Sequence, residues 1–122
     1  MNRAFTNLLC ADIDAHAHFF QAVLGMTQHF TSDWFIILTH PGIPGLEFGL
    51  LSRSHDTVPA SHRVAPAGVI LTFVVADVAA CHARAVEIGA KIVEPPRVMP
   101  YGQRRLLVAA PEGTLVDISA PT

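Results

Sequence analysis

Residues 68–90 read GVILTFVVADVAACHARAVEIGA, a stretch that predicts one buried strand followed by one helix. Val69–Val75 is an apolar run rich in β-branched residues and broken only by Thr72, which favours a strand covered on both faces. Asp77 stands where an N-cap belongs, because its carboxylate can accept the free N–H groups of the first helical turn. Gly89 then supplies the left-handed residue that ends the helix.

An earlier stretch of the chain repeats this pattern. Residues 11–15 read ADIDA and align with ADVAA at residues 76–80, at an offset of 65 residues. The first copy predicts a strand over residues 4–11, followed by a helix that Asp12 caps and Gly25 ends. Because short strands are predicted after each helix, each half of the chain is interpreted as one βαβββ module.

The remaining strands and the module bounds follow from the turn residues. We expect strands at 27–31, 34–39 and 46–51 in the first module, and at 91–93, 105–109 and 115–119 in the second, with 95–102 as a loop. A polar, proline-bearing linker separates the modules within one domain, so that the predicted bounds are 4–52 for module one, 53–67 for the linker, 68–120 for module two and 1–122 for the domain.

The composition excludes several classes of function. The 122 residues are 51% hydrophobic and 15% charged with a net charge of −2, and they hold no basic cluster beyond Arg104-Arg105, so we expect no nucleic-acid partner. No apolar stretch approaches the roughly 20 residues that cross a bilayer, so we expect no membrane partner and a cytoplasmic location. Cys10 and Cys81 are interpreted as small buried hydrophobic residues in a reducing compartment, without a disulfide.

Four segments of the chain carry a family resemblance. They are strand-Ala-Asp-Ile at the first helix, FFQAVLGM over 19–26, strand-Ala-Asp-Val at the second helix, and EPPRVMPYGQRRLLVAAPEGTLVDI over 94–118. With the two tandem modules, these segments resemble the vicinal oxygen chelate superfamily, which includes glyoxalase I, extradiol dioxygenases, fosfomycin-resistance enzymes and bleomycin-resistance proteins. The resemblance implies an α+β fold in which two tandem βαβββ modules form a curved sheet around a cavity. It also implies a homodimer whose partner subunit partly closes each cavity.

In metal-dependent members of that superfamily, the ligands come from the first and fourth strands of each module. Carried onto this chain, the first-strand positions are Phe5 and Ile70, and the fourth-strand positions are Glu47 and Asp117, with Gly49 on the same face as an alternative to Glu47. Histidine is common at the first-strand positions, whereas Phe and Ile donate nothing. Since a catalytic divalent ion needs at least three protein donors, we expect neither a metal nor any other cofactor.

The histidines elsewhere are not predicted to restore such a site. Most are interpreted as solvated or helix-surface side chains: His16, His18, His55, His62 and His82. His40, at the end of a predicted strand, is interpreted as a polar group lining the cavity.

The predicted cavity has apolar and aromatic walls with few polar groups, which suits a flat or hydrophobic small molecule. The segment 101–104 is interpreted as a lid whose aromatic ring and cation contact the ligand. We expect Asp117 and Glu47 to pair with Arg104 or Arg105, to bind a cationic or hydroxyl-bearing ligand, or to act as a general base. The predicted ligand-binding residues are Phe5, Asn7, Trp34, Glu47, Phe48, Ile70, Tyr101, Arg104 and Asp117, with Phe30, Thr72 and Gln103 as further lining.

The loss of both histidine donors beside an aromatic pocket favours a metal-free protein of the bleomycin-resistance type. Such a protein binds a small organic ligand and sequesters an antibiotic or a toxic metabolite. The alternative is a lyase, isomerase or dioxygenase-type enzyme that uses Asp117 or Glu47 as base or metal ligand, and a third reading is an accessory protein without a ligand. No nucleophile motif or phosphate-binding glycine loop is present, so no residue is predicted as catalytic.

Overall fold

The computed structural model describes all residues, Met1–Thr122, and contains eight strands and two α-helices. In chain order they are β1 (Thr6–Cys10), α1 (Ile13–Leu24), β2 (Thr27–Thr31), β3 (Phe35–Thr39), β4 (Phe48–Ser52), β5 (Ile70–Val74), α2 (Val78–Glu87), β6 (Lys91–Met99), β7 (Gln103–Ala109) and β8 (Leu115–Pro121). This order confirms the α+β class and the two tandem βαβββ modules. Neither helix has the length and apolar character needed to cross a membrane.

Each module forms one four-stranded sheet of mixed direction. The strand orders are β1-β4-β3-β2 and β5-β8-β7-β6, and in both sheets the first strand pairs in parallel with the fourth while the other pairs are antiparallel. The chain divides into two compact units, of which one holds residues 1–21 and 25–66 and the other holds residues 22–24 and 67–122. The connecting segment contains a short 3₁₀ turn at Ala60–His62.

The predicted helix signals act as expected. The side chain of Asp12 accepts a hydrogen bond from the backbone N–H of Ala15, and the side chain of Asp77 accepts one from Ala80, both at 3.0 Å. Each bond satisfies one of the N–H groups that the first helical turn leaves free. Gly25, with φ of 69°, closes α1 in the left-handed region.

Each sheet buries one face. In the first unit, the buried face carries Leu8, Phe48 and Leu50, and the ring of Phe20 from α1 meets Phe48 edge-on at 5.1 Å. In the second unit, β7 and β8 bury alternate apolar residues and α2 buries three on the side that packs, which are Leu106, Val108, Val116, Ile118, Val78, Cys81 and Ala85. The opposite face of each sheet is not part of this core, and we call these the first and second open faces.

The second open face consists of the residues that alternate with this core, namely Ile70, Thr72, Val74, Leu115, Asp117, Ser119, Gln103, Arg105, Leu107, Glu94 and Arg97. The strand β5 lies at the edge of its sheet, and one of its two faces belongs to the second open face. The prediction that β5 is covered on both faces is therefore wrong. Ile70 is 61% exposed and Val74 is 64% exposed. Continuous apolar runs are typical of fully covered parallel strands, but this run packs one side on the core and leaves Ile70 and Val74 on the other side exposed.

The strand β6 is longer than predicted. It runs through Pro95 and Pro96, which were assigned to a loop, and reaches Met99. Two register shifts, between Ile92 and Glu94 and again before Arg97, interrupt its pairing with β7. An outer strand tolerates prolines because its outward N–H groups have no partner strand. Where a proline lies at a paired position, the irregular register leaves it without a ladder hydrogen bond to make. The other predicted strands agree with the structure to within two residues at either end.

His16 also departs from its prediction as a surface residue. It is 1% exposed, and its Nδ1 lies 2.7 Å from the backbone oxygen of Asp12. It follows Ile13 by three residues and precedes Phe20 by four, so helical periodicity places it on the buried side of α1.

Candidate functional site

The second open face is organised in rows that cross the sheet. Thr72 lies opposite Asp117, Asp117 opposite Leu107, and Leu107 opposite Glu94, which defines what we call the Asp117 row. The next row, called the Arg105 row, runs across the same strands through Val74, Ser119, Arg105 and Arg97. Side chains two residues apart on β5, β8 and β7 share a face. On β6, a register shift separates Glu94 from Arg97 by three residues, and contacts of Glu94 with Arg97 and Arg105 place it on that face too.

Asp117 has an acceptor atom without a donor. Its Oδ2 accepts a hydrogen bond from Thr72 Oγ1 at 3.3 Å, whereas its Oδ1 is buried and has no partner. Buried acceptors in native proteins are nearly always satisfied, and leaving one unpaired costs about 1–3 kcal/mol. The expected pairing with Arg104 or Arg105 does not form. This oxygen has no access to solvent, so a donor from outside the chain can pair with it when the carboxylate turns about χ2 to present it.

Arg105 is bound elsewhere. Its Nη2 donates to Glu94 Oε2 at 3.0 Å, and Arg97 Nε lies 2.6 Å from Glu94 Oε1. One carboxylate therefore serves two guanidinium groups. Asp117 and Glu94 flank Leu107 in the same row, and Arg105 is a diagonal neighbour of both. Its choice of Glu94 leaves Asp117 without a cation.

Gln103 adds a second unpaired oxygen on this face. It lies one row beyond Arg105 on β7, opposite Pro121, and its Oε1 is buried without a partner. The two ends of an amide are assigned from the surrounding hydrogen bonds, so this atom counts as a polar group seeking a partner of either kind. Gln103 therefore adds a polar group to this face on the side of the Arg105 row that is farther from Asp117.

The first open face carries no carboxylate at the position equivalent to Asp117. Asn7 lies opposite Gly49 on β4, just as Thr72 lies opposite Asp117 on β8. The repeat superimposes Asn7 on Thr72, so Gly49 is the counterpart of Asp117, and the assignment of Glu47 to that position is corrected. A Cβ at position 49 would lie 2.0 Å from Asn7 Oδ1, so the exposed Asn7 side chain would have to turn away to admit a larger residue there.

Glu47 is bound to the N-terminal segment. Arg3 Nε donates to Glu47 Oε2 at 2.6 Å, a second bond joins Arg3 Nη2 to Oε1, and the guanidinium lies 4.9 Å from the centre of the Phe5 ring. The hydrogen bond from Arg3 is the largest cause of a lowered pKa of the Glu47 carboxyl. The pair lies in the wall of a cleft of about 460 Å³ that His29 and His40 also line.

The Arg3–Glu47 pair is expected to make the stability of the fold depend on pH in the acid range. Because the folded pKa of Glu47 is lowered, the pair stabilises the fold above the unfolded pKa of about 4.3, and this contribution disappears as pH falls through the folded pKa. In Arg3→Gln the melting temperature should be lower than in the wild type near neutral pH, and the difference should shrink in acid. Thermal melts across this pH range check it, with Arg104→Gln as control. A difference that does not change with pH would contradict this assignment.

Trp34 is stacked against the segment between the modules. The rings of Trp34 and His55 are parallel, with centroids 3.8 Å apart, and Trp34 and Phe35 stack with centroids 5.7 Å apart. Phe30 packs 6.0 Å from Phe35. His55 was predicted to be solvated, and this contact corrects that prediction. Phe35 was missed, although its alternation with Ile37 on β3 places it on the first open face.

Phe48 and Arg104 are not on the open faces, contrary to prediction. Phe48 is 6% exposed and packs on Phe20 in the core. Arg104 precedes the buried Leu106 by two residues and shares its face, and it lines a cleft of about 350 Å³ with residues 76–79 at the start of α2. Side chains alternate along a strand, so these two residues point away from Asn7 and Asp117.

The remaining predicted residues have mixed surroundings. Ile70 is exposed on the second open face, in the row next to Asp117. Tyr101 is exposed in the turn between β6 and β7. Phe5 is half-buried beneath Arg3. The structure therefore brings together Phe5, Asn7 and Glu47 in the first unit. In the second unit it brings together Ile70 and Asp117.

A sequence profile of the Glyoxalase/Bleomycin resistance protein/Dioxygenase superfamily matches residues 3–118 of this chain. The chain belongs to this superfamily. No functionally curated protein matches it. The profile covers both modules, from the segment that holds Arg3 into the strand that holds Asp117, and ends one residue before Ser119.

Several solved structures share this fold at low sequence identity. A glyoxalase/bleomycin resistance protein/dioxygenase family enzyme from Burkholderia phytofirmans PsJN has a TM-score of 0.80 and 19% identity, with 97% of each chain covered. A glyoxalase-related enzyme from Fulvimarina pelagi has a TM-score of 0.78 and 22% identity, with 98% of this chain and 88% of that one covered. TioX from Micromonospora sp. ML1 gives 0.72 and 21%, with 100% of both chains covered. At these identities the likeness shows the fold alone.

The metal centre of metal-dependent superfamily members does not fit the residues of this chain. No group of three or more His, Cys, Asp or Glu side chains comes together in a way that could hold a metal ion. The first-strand positions carry Phe5 and Ile70, and the carboxylate of Glu47 is held by Arg3. A divalent ion would therefore find Asp117 with Thr72, one carboxylate and one hydroxyl, which is too small a donor set for a catalytic site.

Proposed function

We propose that this superfamily member is a metal-free protein that binds a small organic molecule on the second open face and sequesters it. The buried and unpaired Oδ1 of Asp117 is the observation that carries this proposal. A carboxylate kept in that state weakens the fold unless a donor arrives, so its retention is explained by a ligand that supplies one. An antibiotic or a toxic metabolite with an N–H or O–H group fits this requirement.

The surroundings of Asp117 support an organic ligand over a bare ion. Ile70 and Val74 expose large apolar side chains on β5 beside it, and Leu107 and Leu115 are half-buried on the adjoining strands. An apolar surface with a few fixed polar groups is the usual composition of a small-molecule site. Covering these side chains would contribute binding energy at about 25 cal/mol per Å² of apolar area.

The donor set supports the metal-free part of the proposal. Phe5 and Ile70 occupy the positions at which metal-dependent relatives commonly carry histidine, and Glu47 is neutralised by Arg3. Two of the four positions are thus hydrocarbon, and a third, Gly49, has no side chain.

An enzyme that uses Asp117 as a general base is the second candidate, and the same unpaired oxygen favours it. A carboxylate near an apolar surface can accept a proton from a bound substrate if it lies within hydrogen-bond reach. Turnover separates the two functions, because a sequestering protein releases its ligand unchanged. In the enzyme, Asp117→Asn would abolish turnover while leaving ligand affinity and the melting temperature largely intact.

The proposed function is tested by a ligand screen with matched variants. Wild-type protein, Asp117→Asn and Asp33→Asn are melted with a library of drug-like and metabolite-like compounds, then with Mn²⁺, Fe²⁺, Co²⁺, Ni²⁺ and Zn²⁺. We expect compounds that raise the melting temperature of the wild type and of Asp33→Asn, an exposed turn variant, but not of Asp117→Asn. Hits are recovered and analysed for chemical change. Tight stoichiometric metal binding with turnover would overturn the proposal.

A further inference from the structure

We propose that the ligand of the second open face is amphoteric, with a hydrogen-bond-donating end at Asp117 and an anionic end at Arg105 and Arg97. This inference rests on the proposed function and adds the chemical class of the ligand. Molecules of this class carry an ammonium, amide N–H or hydroxyl at one end and a carboxylate, phosphate or sulfonate at the other.

Charge is unevenly shared across the open face. Asp117, on β8, has a hydroxyl for a neighbour and no cation, whereas Glu94, on β6, is contacted by both Arg97 and Arg105. Asp117 on β8 is therefore an unbalanced negative charge, whereas β7 and β6 together carry two positive charges, Arg105 and Arg97, against the one negative charge of Glu94. A face with this polarity favours a ligand of the opposite polarity.

Leu107 keeps the two ends apart. It lies between Asp117 and Glu94 in the same row, so the two carboxylates are separated by two strand spacings, which is about 10 Å between Cα atoms. Arg105 reaches Glu94 and not Asp117 although it is diagonal to both. The side chain of Leu107 provides an apolar surface between the ends, on which the middle of a ligand can lie.

The two arginines retain donors for an anion. Arg105 uses Nη2 and Arg97 uses Nε for Glu94, and each planar guanidinium has five N–H groups in all. The side chain of Arg97 is 58% exposed and that of Arg105 is 22% exposed, so both are within reach of a bound molecule. Glu94 holds the pair in place. Two guanidinium groups fixed by one carboxylate form a receptor for a carboxylate or phosphate.

Ligands with charge of a single sign fit this face less well. A simple cation would satisfy Asp117 and leave the two arginines facing its apolar body. A simple anion would bind at Arg97 and leave Asp117 Oδ1 unpaired beneath it. Only a ligand with both groups satisfies the unpaired oxygen and the excess positive charge at once.

The span of the site defines the probe. From Asp117 to Arg97 the Cα atoms are separated by two strand spacings and about two residues along the strand, about 12 Å in all. Three rigid biphenyls of similar length form a matched series. They are 4′-(aminomethyl)biphenyl-4-carboxylate, biphenyl-4-carboxylate, which lacks the amine, and 4-(aminomethyl)biphenyl, which lacks the carboxylate.

Isothermal titration of this series against wild type, Asp117→Asn, Arg97→Gln and Arg104→Gln tests the inference. The compound that carries both the amine and the carboxylate should bind wild-type protein about tenfold or more tightly than either compound that carries only one of them, since each end adds a charge-assisted hydrogen bond. Asp117→Asn should weaken binding of the two compounds that carry an amine and leave binding of biphenyl-4-carboxylate unchanged. Arg97→Gln should weaken binding of the two compounds that carry a carboxylate and leave binding of 4-(aminomethyl)biphenyl unchanged. Arg104→Gln, next to Arg105 but on the α2 side of the sheet, should bind like wild type.

The outcomes separate this inference from the proposed function. Equal affinity of all three compounds, still sensitive to Asp117→Asn, would overturn the amphoteric ligand and leave the small-molecule site in place. Weakening by Arg104→Gln as large as that by Arg97→Gln would also overturn it, because the anion would then lie on the other face. If none of the three compounds bound, the amphoteric ligand would be overturned, whereas the proposed function is decided by the library screen described above.

Discussion

Phe20→Ala is expected to lower the free energy of unfolding by about 3–5 kcal/mol, several times the effect of a substitution on the exposed side of the same helix. The ring of Phe20 is fully buried and contacts Phe19 and Phe48 edge-on, each with centroids 5.1 Å apart. Its removal leaves a cavity between α1 and the first sheet that these two rings cannot fill. Domains of this size have a total stability of about 5–15 kcal/mol, so much of the margin would be lost.

Urea unfolding followed by circular dichroism measures this effect. The midpoint should fall while the slope with denaturant stays constant, since the surface exposed on unfolding changes little. His18→Ala, on the exposed side of α1, is the control and should change stability by about 0.5 kcal/mol or less. A loss for Phe20→Ala no greater than that of the control would contradict the packing described for α1.

Asp117→Leu is expected to stabilise the free protein by about 1–3 kcal/mol and to abolish ligand binding. The substitution removes a buried oxygen that has no partner and places an apolar side chain beside Leu107 and Leu115, its neighbours on the sheet. Most substitutions at half-buried positions destabilise, so a gain at this position has a specific cause. It would show that Asp117 is retained for function at the expense of stability.

Thermal melting of the free protein and titration with a screened ligand measure the two effects together. Asp117→Asn is the matched comparison, because it keeps an oxygen in the same place and should gain less stability than Asp117→Leu. A lower melting temperature for Asp117→Leu than for wild type would show that the carboxylate is already satisfied within the protein.

Local signals account for the part of the fold that the sequence predicted. The caps at Asp12 and Asp77 act through hydrogen bonds to residues three positions along, and the left-handed Gly25 ends α1 where expected. These features depend on a few neighbouring residues, so they can be recognised without the rest of the chain. The repeat then predicted the first module from the second.

The errors at the site arose where the two faces of a strand were not kept separate. Glu47 and Gly49 were placed on one face, which puts Phe48 on the other, yet Phe48 was included in the pocket. In the same way, Arg104 and Arg105 alternate on β7, and only Arg105 shares a face with Asp117. Strand alternation alone predicts both corrections.

Other features of the site depend on tertiary pairing and had no local signal. The bond between Arg3 and Glu47 joins residues 44 positions apart. The choice of Arg105 for Glu94 depends on the register of β6, which two irregularities shift near its prolines. Sequence patterns report which face a residue occupies, but not which of two equidistant carboxylates an arginine binds.

The contact between Asn7 and Gly49 has a consequence for how the two halves of the repeat have diverged. A side chain gained at position 49 would meet the Asn7 amide, which would have to turn away, so the bare backbone at Gly49 and the present placement of Asn7 go together. In the second half, the corresponding positions hold Asp117 and Thr72, which are joined by a hydrogen bond. The two halves therefore present different chemical groups at equivalent positions, an amide over bare backbone in one and a carboxylate with a hydroxyl in the other.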